Sequence, residues 1–114
     1  MIVYHVTPKC HLPGIRREGV RPDLARGRLK ASWWVSGERL AWAIAHICHR
    51  HGVVPGRVVI LPADIDRDKL VGTRYPGVFF TREVVDLKDK IAPLSATDYL
   101  NADEGLILSD VNPQ

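Results

Sequence analysis

The sequence predicts a small α+β domain. Strand-like segments outnumber helical ones, both helical patterns fall in the first half of the chain, and the connections are too short for repeated βαβ crossovers. At 114 residues, of which 46% are hydrophobic and 25% charged, the composition is that of a globular protein. Its length suits one core, so residues 1–114 are read as a single domain.

The first strand is read over Ile2–Thr7, where apolar residues alternate before Pro8 ends the run. Leu12–Glu18 reads as a short helix, with Pro13 in its first turn and Gly19 just beyond its end. Arg21–Lys30 reads as a basic loop carrying Arg21, Arg26, Arg28 and Lys30. A second strand is expected over Ala31–Ser36. Ser36 then serves as N-cap for a helix from about Glu38 to His51, closed by Gly52. On that helix Leu40, Ile44, Ile47, Cys48 and His51 share one side, while Trp42, His46 and His49 gather on another. Val58–Ile65 and Val78–Val85 read as strands, with a turn over Arg67–Lys69 between them. Ile91–Leu94 and Leu106–Leu108 are expected to add short strands.

The N-terminus lacks the basic start of a signal peptide, and no apolar run reaches the roughly 18–20 residues of a membrane span. Two cysteines, Cys10 and Cys48, make no disulfide framework, and a reducing, cytoplasmic setting is expected. The net charge of +3 is unevenly spread. Residues 1–57 hold 10 Lys and Arg against 3 Asp and Glu, whereas residues 58–114 hold 6 against 10. A basic first half suits a pyrophosphate or a nucleic-acid strand, or simply a solvated arginine-rich surface.

Three segments carry potential chemistry. His5 and Thr7 project from one face of the first strand and offer hydrogen bonds in an apolar setting, to a ligand or to each other. In Ser32-Trp33-Trp34-Val35-Ser36, alternation places Trp34 with the two serines and Trp33 with Ala31 and Val35. Trp33 is therefore the better core candidate and Trp34 the better cleft candidate; Trp34 and Trp42 either stack on a flat cationic ring or both fill the core. Glu83 interrupts an apolar strand, as either a solvated edge residue or a placed carboxylate. A metal is not expected. His46 and His49 are helical neighbours, but Cys48 and His51 point to the apolar side and no CxxC accompanies them.

In this order the segments resemble the ADP-ribosyltransferase superfamily, in its branch with His, aromatic and Glu motifs. Val3-Tyr4-His5-Val6-Thr7 followed by Leu12-Pro13-Gly14-Ile15-Arg16-Arg17-Glu18-Gly19-Val20 is similar to RNA 2′-phosphotransferases, poly-ADP-ribose polymerases and DNA-modifying toxin transferases. The resemblance covers residues 2–50 well and 58–87 weakly. It departs from the family in carrying Trp34 where Tyr is commoner, Asp86 where Glu-x-x-hydrophobic calls for an apolar residue, and Thr81 where arginine-modifying members have Glu or Gln.

The resemblance implies a split β-sheet sandwich with two N-terminal helices, and NAD as substrate. It implies NAD binding by His5, Val6, Thr7, Trp34, Ser36, Trp42 and Arg28, with Glu83 and His5 catalytic. Cleavage of the nicotinamide–ribose bond passes through an oxocarbenium-like state, which Glu83 would stabilise. ADP-ribose would pass to a nucleic-acid or protein acceptor. A toxin of this kind would have an antitoxin as a further partner. Two alternatives use the same fold: an RNA 2′-phosphotransferase-like enzyme, although the expected Arg–His pair is missing from Lys30-Ala31-Ser32-Trp33-Trp34, and a non-catalytic basic nucleic-acid-binding module.

Overall fold

The N-terminal strand becomes a central strand of the sheet. The computed structural model describes residues 1–24, 30–87 and 92–101. Its strands are β1 (Ile2–Pro8), β2 (Ser32–Val35), β3 (Val58–Asp64), β4 (Val71–Gly72), β5 (Val78–Thr81) and β6 (Leu94–Ser95). The helices are α1 (Leu12–Glu18) and α2 (Leu40–His51), and residues 96–101 are also helical. The strands form one sheet in the order β4-β5-β2-β1-β3-β6, with every pairing antiparallel.

This is an α+β domain, but its described strands form one sheet where a two-sheet sandwich was expected. The β1–β2 junction in this sheet is a narrow seam. β1 pairs with β3 along its whole length, from Ile2–Asp64 to Pro8–Val58, whereas its register with β2 is the single pair Tyr4–Val35. β2 in turn pairs along its whole length with β5, from Ser32–Thr81 to Val35–Val78.

Each face of the sheet has its own apolar cluster, as strand alternation requires. On one face Val3, Trp34 and Leu61 pack with Leu12 and Ile15 of α1 and with Val20 and Leu87. On the other, Val6, Val35 and Ile60 pack with Leu40, Ala43 and Ile44 of α2 and with Ala96. Burying each such Leu or Ile contributes about 1.5–3 kcal/mol. That is why a helix of only seven residues, α1, holds its place.

The helical wheel of α2 is as read, with Ile47 and Cys48 packed at the cluster margin and Trp42 beside His46. Its start differs. A 3₁₀ turn over Gly37–Arg39 precedes the α-helix, and Ser36 makes no side-chain capping bond. The Ser36 hydroxyl donates instead to the Glu38 carboxylate, at 3.2 Å. The strand read over Val78–Val85 stops at Thr81, and Val85 returns only as an isolated bridge to Val20. Leu94–Ser95 supplies the last described strand; Ile91 and Leu106–Leu108 lie outside the described residues.

Gly19 joins α1 to that bridge. Its φ is +78°, in the region that favours glycine, and its backbone N–H closes α1 on the Ile15 carbonyl at 2.8 Å. A Cβ here would stand 2.6 Å from the Val85 carbonyl oxygen, which also accepts the Val20 N–H at 2.8 Å. Gly19→Ala is expected to destabilise by at least about 1–2 kcal/mol from the backbone conformation alone. Thermal unfolding should show a melting temperature lower by roughly 4–8 °C for each kcal/mol. An unchanged melting temperature would show that the Val20–Val85 bridge does not constrain this turn.

Candidate functional site

The seam between β1 and β2 opens into a cleft of about 1340 Å³. This exceeds the roughly 300–1,000 Å³ of a small-molecule pocket and suits an extended ligand. The cleft reaches both layers of the fold. From the α1 side it is lined by His5, Thr7 and Arg17, and from α2 by Trp42, His46 and Arg50.

His5 sits where β1 and β2 part. Its ring is half-buried and lies 5.2 Å from that of Trp34, and its Nδ1 is 2.8 Å from the Trp33 carbonyl oxygen. A carbonyl cannot donate, so Nδ1 carries the proton and Nε2 is left as an acceptor. Burial holds the imidazole below its ordinary pKa of 6.5; the Trp33 hydrogen bond opposes this and the neighbouring His11 adds to it. His5 is therefore neutral at pH 7, suited to accept a hydrogen bond from a hydroxyl such as that of a ribose.

Thr7 is buried and hydrogen-bonded through Oγ1 to His11 Nδ1 at 3.1 Å. The His11 ring meets His51 of α2 edge-on, 5.9 Å between centroids, so the cleft carries a histidine from each layer. Val6 also lines the cleft, but its side chain is in the apolar cluster under α2. His11 and His51 were not singled out from the sequence as a pair; the spacing of Thr7 and His11 across Pro8 was the available signal.

The two adjacent tryptophans are the reverse of what their neighbours suggested. Trp34 is fully buried and Trp33 is 46% exposed. Ser32, beside Trp34 on that face, is polar without being exposed. Trp34 Nε1–H donates to Ser32 Oγ at 3.0 Å, and Thr81 Oγ1 donates to the Glu83 carbonyl at 3.3 Å. The 2.8 Å contact between Ser32 and Thr81 is then a donation from Ser32. Each buried donor in this chain is satisfied, and Trp34 presents no face to a ligand. Trp42, by contrast, reaches the cleft 47% exposed, with one face stacked on His46 at 5.3 Å.

Glu83 lies elsewhere. It lines a separate depression of about 210 Å³ with Asp64, Asp66, Lys69 and Asp86, none of which lines the His5 cleft. Its side chain is 70% exposed, with Lys69 Nζ 3.7 Å away. The structure thus brings together His5, Val6, Thr7 and Trp42, and leaves Glu83, Ser36 and the Trp34 ring out of the cleft.

The expected basic residues also divide. Arg21 is held by Asp23 and Glu18, with its Nε–H donating to Asp23 at 3.0 Å and Nη1 to Glu18 at 3.0 Å, and both contacts raise its pKa. Arg39 donates to the Pro76 carbonyl at 2.7 Å. Arg26 and Arg28 lie outside the described residues. Among the described residues no three His, Cys, Asp or Glu side chains converge to hold a metal, and no helix is long and apolar enough to cross a membrane. No protein-family model matches the chain, and neither does any curated protein.

The His5 environment makes stability pH-dependent. Its pKa is lowered in the folded state, so on acidification the unfolded chain takes up a proton first. Stability conferred by a neutral His5 is present above pH 6.5, the unfolded value, and is lost as pH falls below it. His5→Asn keeps an N–H for the Trp33 carbonyl without a titrating ring. Denaturant unfolding above and below that pH should show a smaller acid-induced loss in the variant than in the wild type. Equal losses would mean that His5 is not the titrating group.

Proposed function

We propose that this chain is an NAD-dependent ADP-ribosyltransferase whose dinucleotide lies in the cleft at the β1–β2 seam. The observation that carries the reading is His5: a neutral imidazole with Nδ1 fixed and Nε2 available, at the position the family resemblance assigns to ribose binding. Arg17 and Arg50 face the same cleft from α1 and α2, suited to a pyrophosphate. Trp42 offers an exposed indole to a planar ring.

In this reading His5 and Thr7 orient the nicotinamide ribose. A carboxylate then stabilises positive charge developing on that sugar as nicotinamide leaves, an interaction worth most in the transition state. Glu83 is the carboxylate assigned by the resemblance. The acceptor is a nucleic acid or a protein, and an antitoxin is a further partner if the transferase is a toxin. A second reading is favoured by one observation, the position of Glu83 in a different depression from His5: the chain binds a dinucleotide without turning it over.

Two measurements separate these readings. Millimolar NAD should raise the melting temperature by linkage, and His5→Ala should weaken that shift; no shift in the wild type overturns both readings. Glu83→Gln should leave the NAD-induced shift in place and lower NAD cleavage by at least about 100-fold. NAD binding with no cleavage by the wild type supports the binding-only reading. Cleavage unaffected in Glu83→Gln removes Glu83 from the reaction.

A further inference from the structure

On the α2 side of the sheet, the apolar cluster beneath α2 extends along β2 and β5 to Val35 and Val78. One rung further on, Trp33, Phe80 and Val71 stand directly opposite one another across β2, β5 and β4. Alternation puts them on the face away from the buried Trp34–Ser32–Thr81 chain. Trp33 is 46% and Val71 43% exposed, and the Trp33 and Phe80 rings are 5.5 Å apart at 55°. The Arg82 guanidinium lies over the Phe80 ring, 5.6 Å from its centroid. At the β4–β5 turn the pattern repeats, with Arg74 over Tyr75 at 5.1 Å and Tyr75 52% exposed.

We propose that this face binds single-stranded nucleic acid, with unpaired bases stacking on Trp33 and Phe80 and phosphates meeting Arg82 and Arg74. Charge complementarity selects this occupant. Among the described residues neither arginine is neutralised by a carboxylate; the adjacent Glu83 pairs with Lys69. Aromatic rings interleaved with guanidinium groups meet the two invariant features of a single strand, a π-face on every base and a charge on every phosphate. A duplex hides its base faces and offers phosphates and groove edges, on which an aromatic ring cannot stack. Trp33 and Tyr75 also line the His5 cleft, so a strand on this face leads to that cleft. The binding surface stands without the transfer reaction; only its assignment as the acceptor site rests on the transferase reading.

The test is fluorescence anisotropy of labelled oligothymidylate, oligouridylate and a DNA duplex with the full chain, in the absence of NAD. Both single strands, or one of them, should bind more tightly than the duplex, and a preference between them identifies the polymer. Trp33→Ala and Phe80→Ala should each weaken binding by about fivefold or more, the lower end for losing a base–aromatic stack. Trp33→Phe should restore most of the affinity. Arg82→Ala should reduce the salt dependence by roughly one phosphate contact. Trp33 and Arg82 are surface side chains, so their variants carry the test if Phe80→Ala does not fold. Equal binding by wild type and Trp33→Ala overturns the proposal. So does tighter duplex binding, or self-association that Trp33→Ala abolishes, which would assign the face to a second copy. Because NAD is absent, inactivity of the transferase would leave each of these outcomes unchanged.

Discussion

The pairing of β1 with β2 is reduced to Tyr4 and Val35, and the arrangement of the cleft follows from that constraint. Full pairing would satisfy the backbone of both strands and close the sheet. Where the strands part, the Trp33 carbonyl accepts from the His5 ring instead of from a neighbouring strand. That one hydrogen bond supports the open seam, fixes the imidazole tautomer and leaves Nε2 as an acceptor. The residue most suited to ligand binding is therefore also a structural part of the sheet, and its desolvation is the origin of its lowered pKa.

The chain of hydrogen bonds from Trp34 through Ser32 and Thr81 to the Glu83 carbonyl acts on the opposite border of β2. It ties β2 to β5 and fixes the point where the backbone leaves β5. The Glu83 backbone is held by a buried network, while its carboxylate is exposed and, among the described residues, joined to Lys69. The two restraints differ in strength. An exposed ion pair contributes about 0–1 kcal/mol, whereas leaving a buried hydroxyl or indole unsatisfied costs about 1–3 kcal/mol for each group. Reorienting the Glu83 side chain is inexpensive; moving its backbone toward His5 is not.

The helices were legible because local rules fix them. Pro13 and Gly19 bracket α1, and α2 ends at Gly52 with φ +63°. The long strands β1 and β3 followed from alternation and apolar runs. The two-residue strand β4 and the helical segment at 96–101 carry too little periodicity to stand out. The Trp33–Trp34 inversion has a different cause. A serine on a strand face signals exposure only if no partner is buried opposite it, and Thr81, which completes the network of Ser32, is 49 residues away. Cross-strand register supplies that information and local sequence does not. The loss of Arg21 as a ligand-binding cation, by contrast, could have been read from Glu18 and Asp23 beside it in the sequence.

These pairings also change the meaning of the basic first half of the chain. Its charge suggested a broad attraction for polyanions, but Arg21 is neutralised and Arg39 is committed to a carbonyl. Among the described cleft arginines, Arg17 and Arg50 are in neither position, and they stand on helices packed against opposite faces of the sheet. Two cations separated in this way act as discrete contacts, and a neutral His5 between the layers adds no charge. Such a cleft distinguishes ligands by where their phosphates and hydroxyls fall relative to these separate contacts.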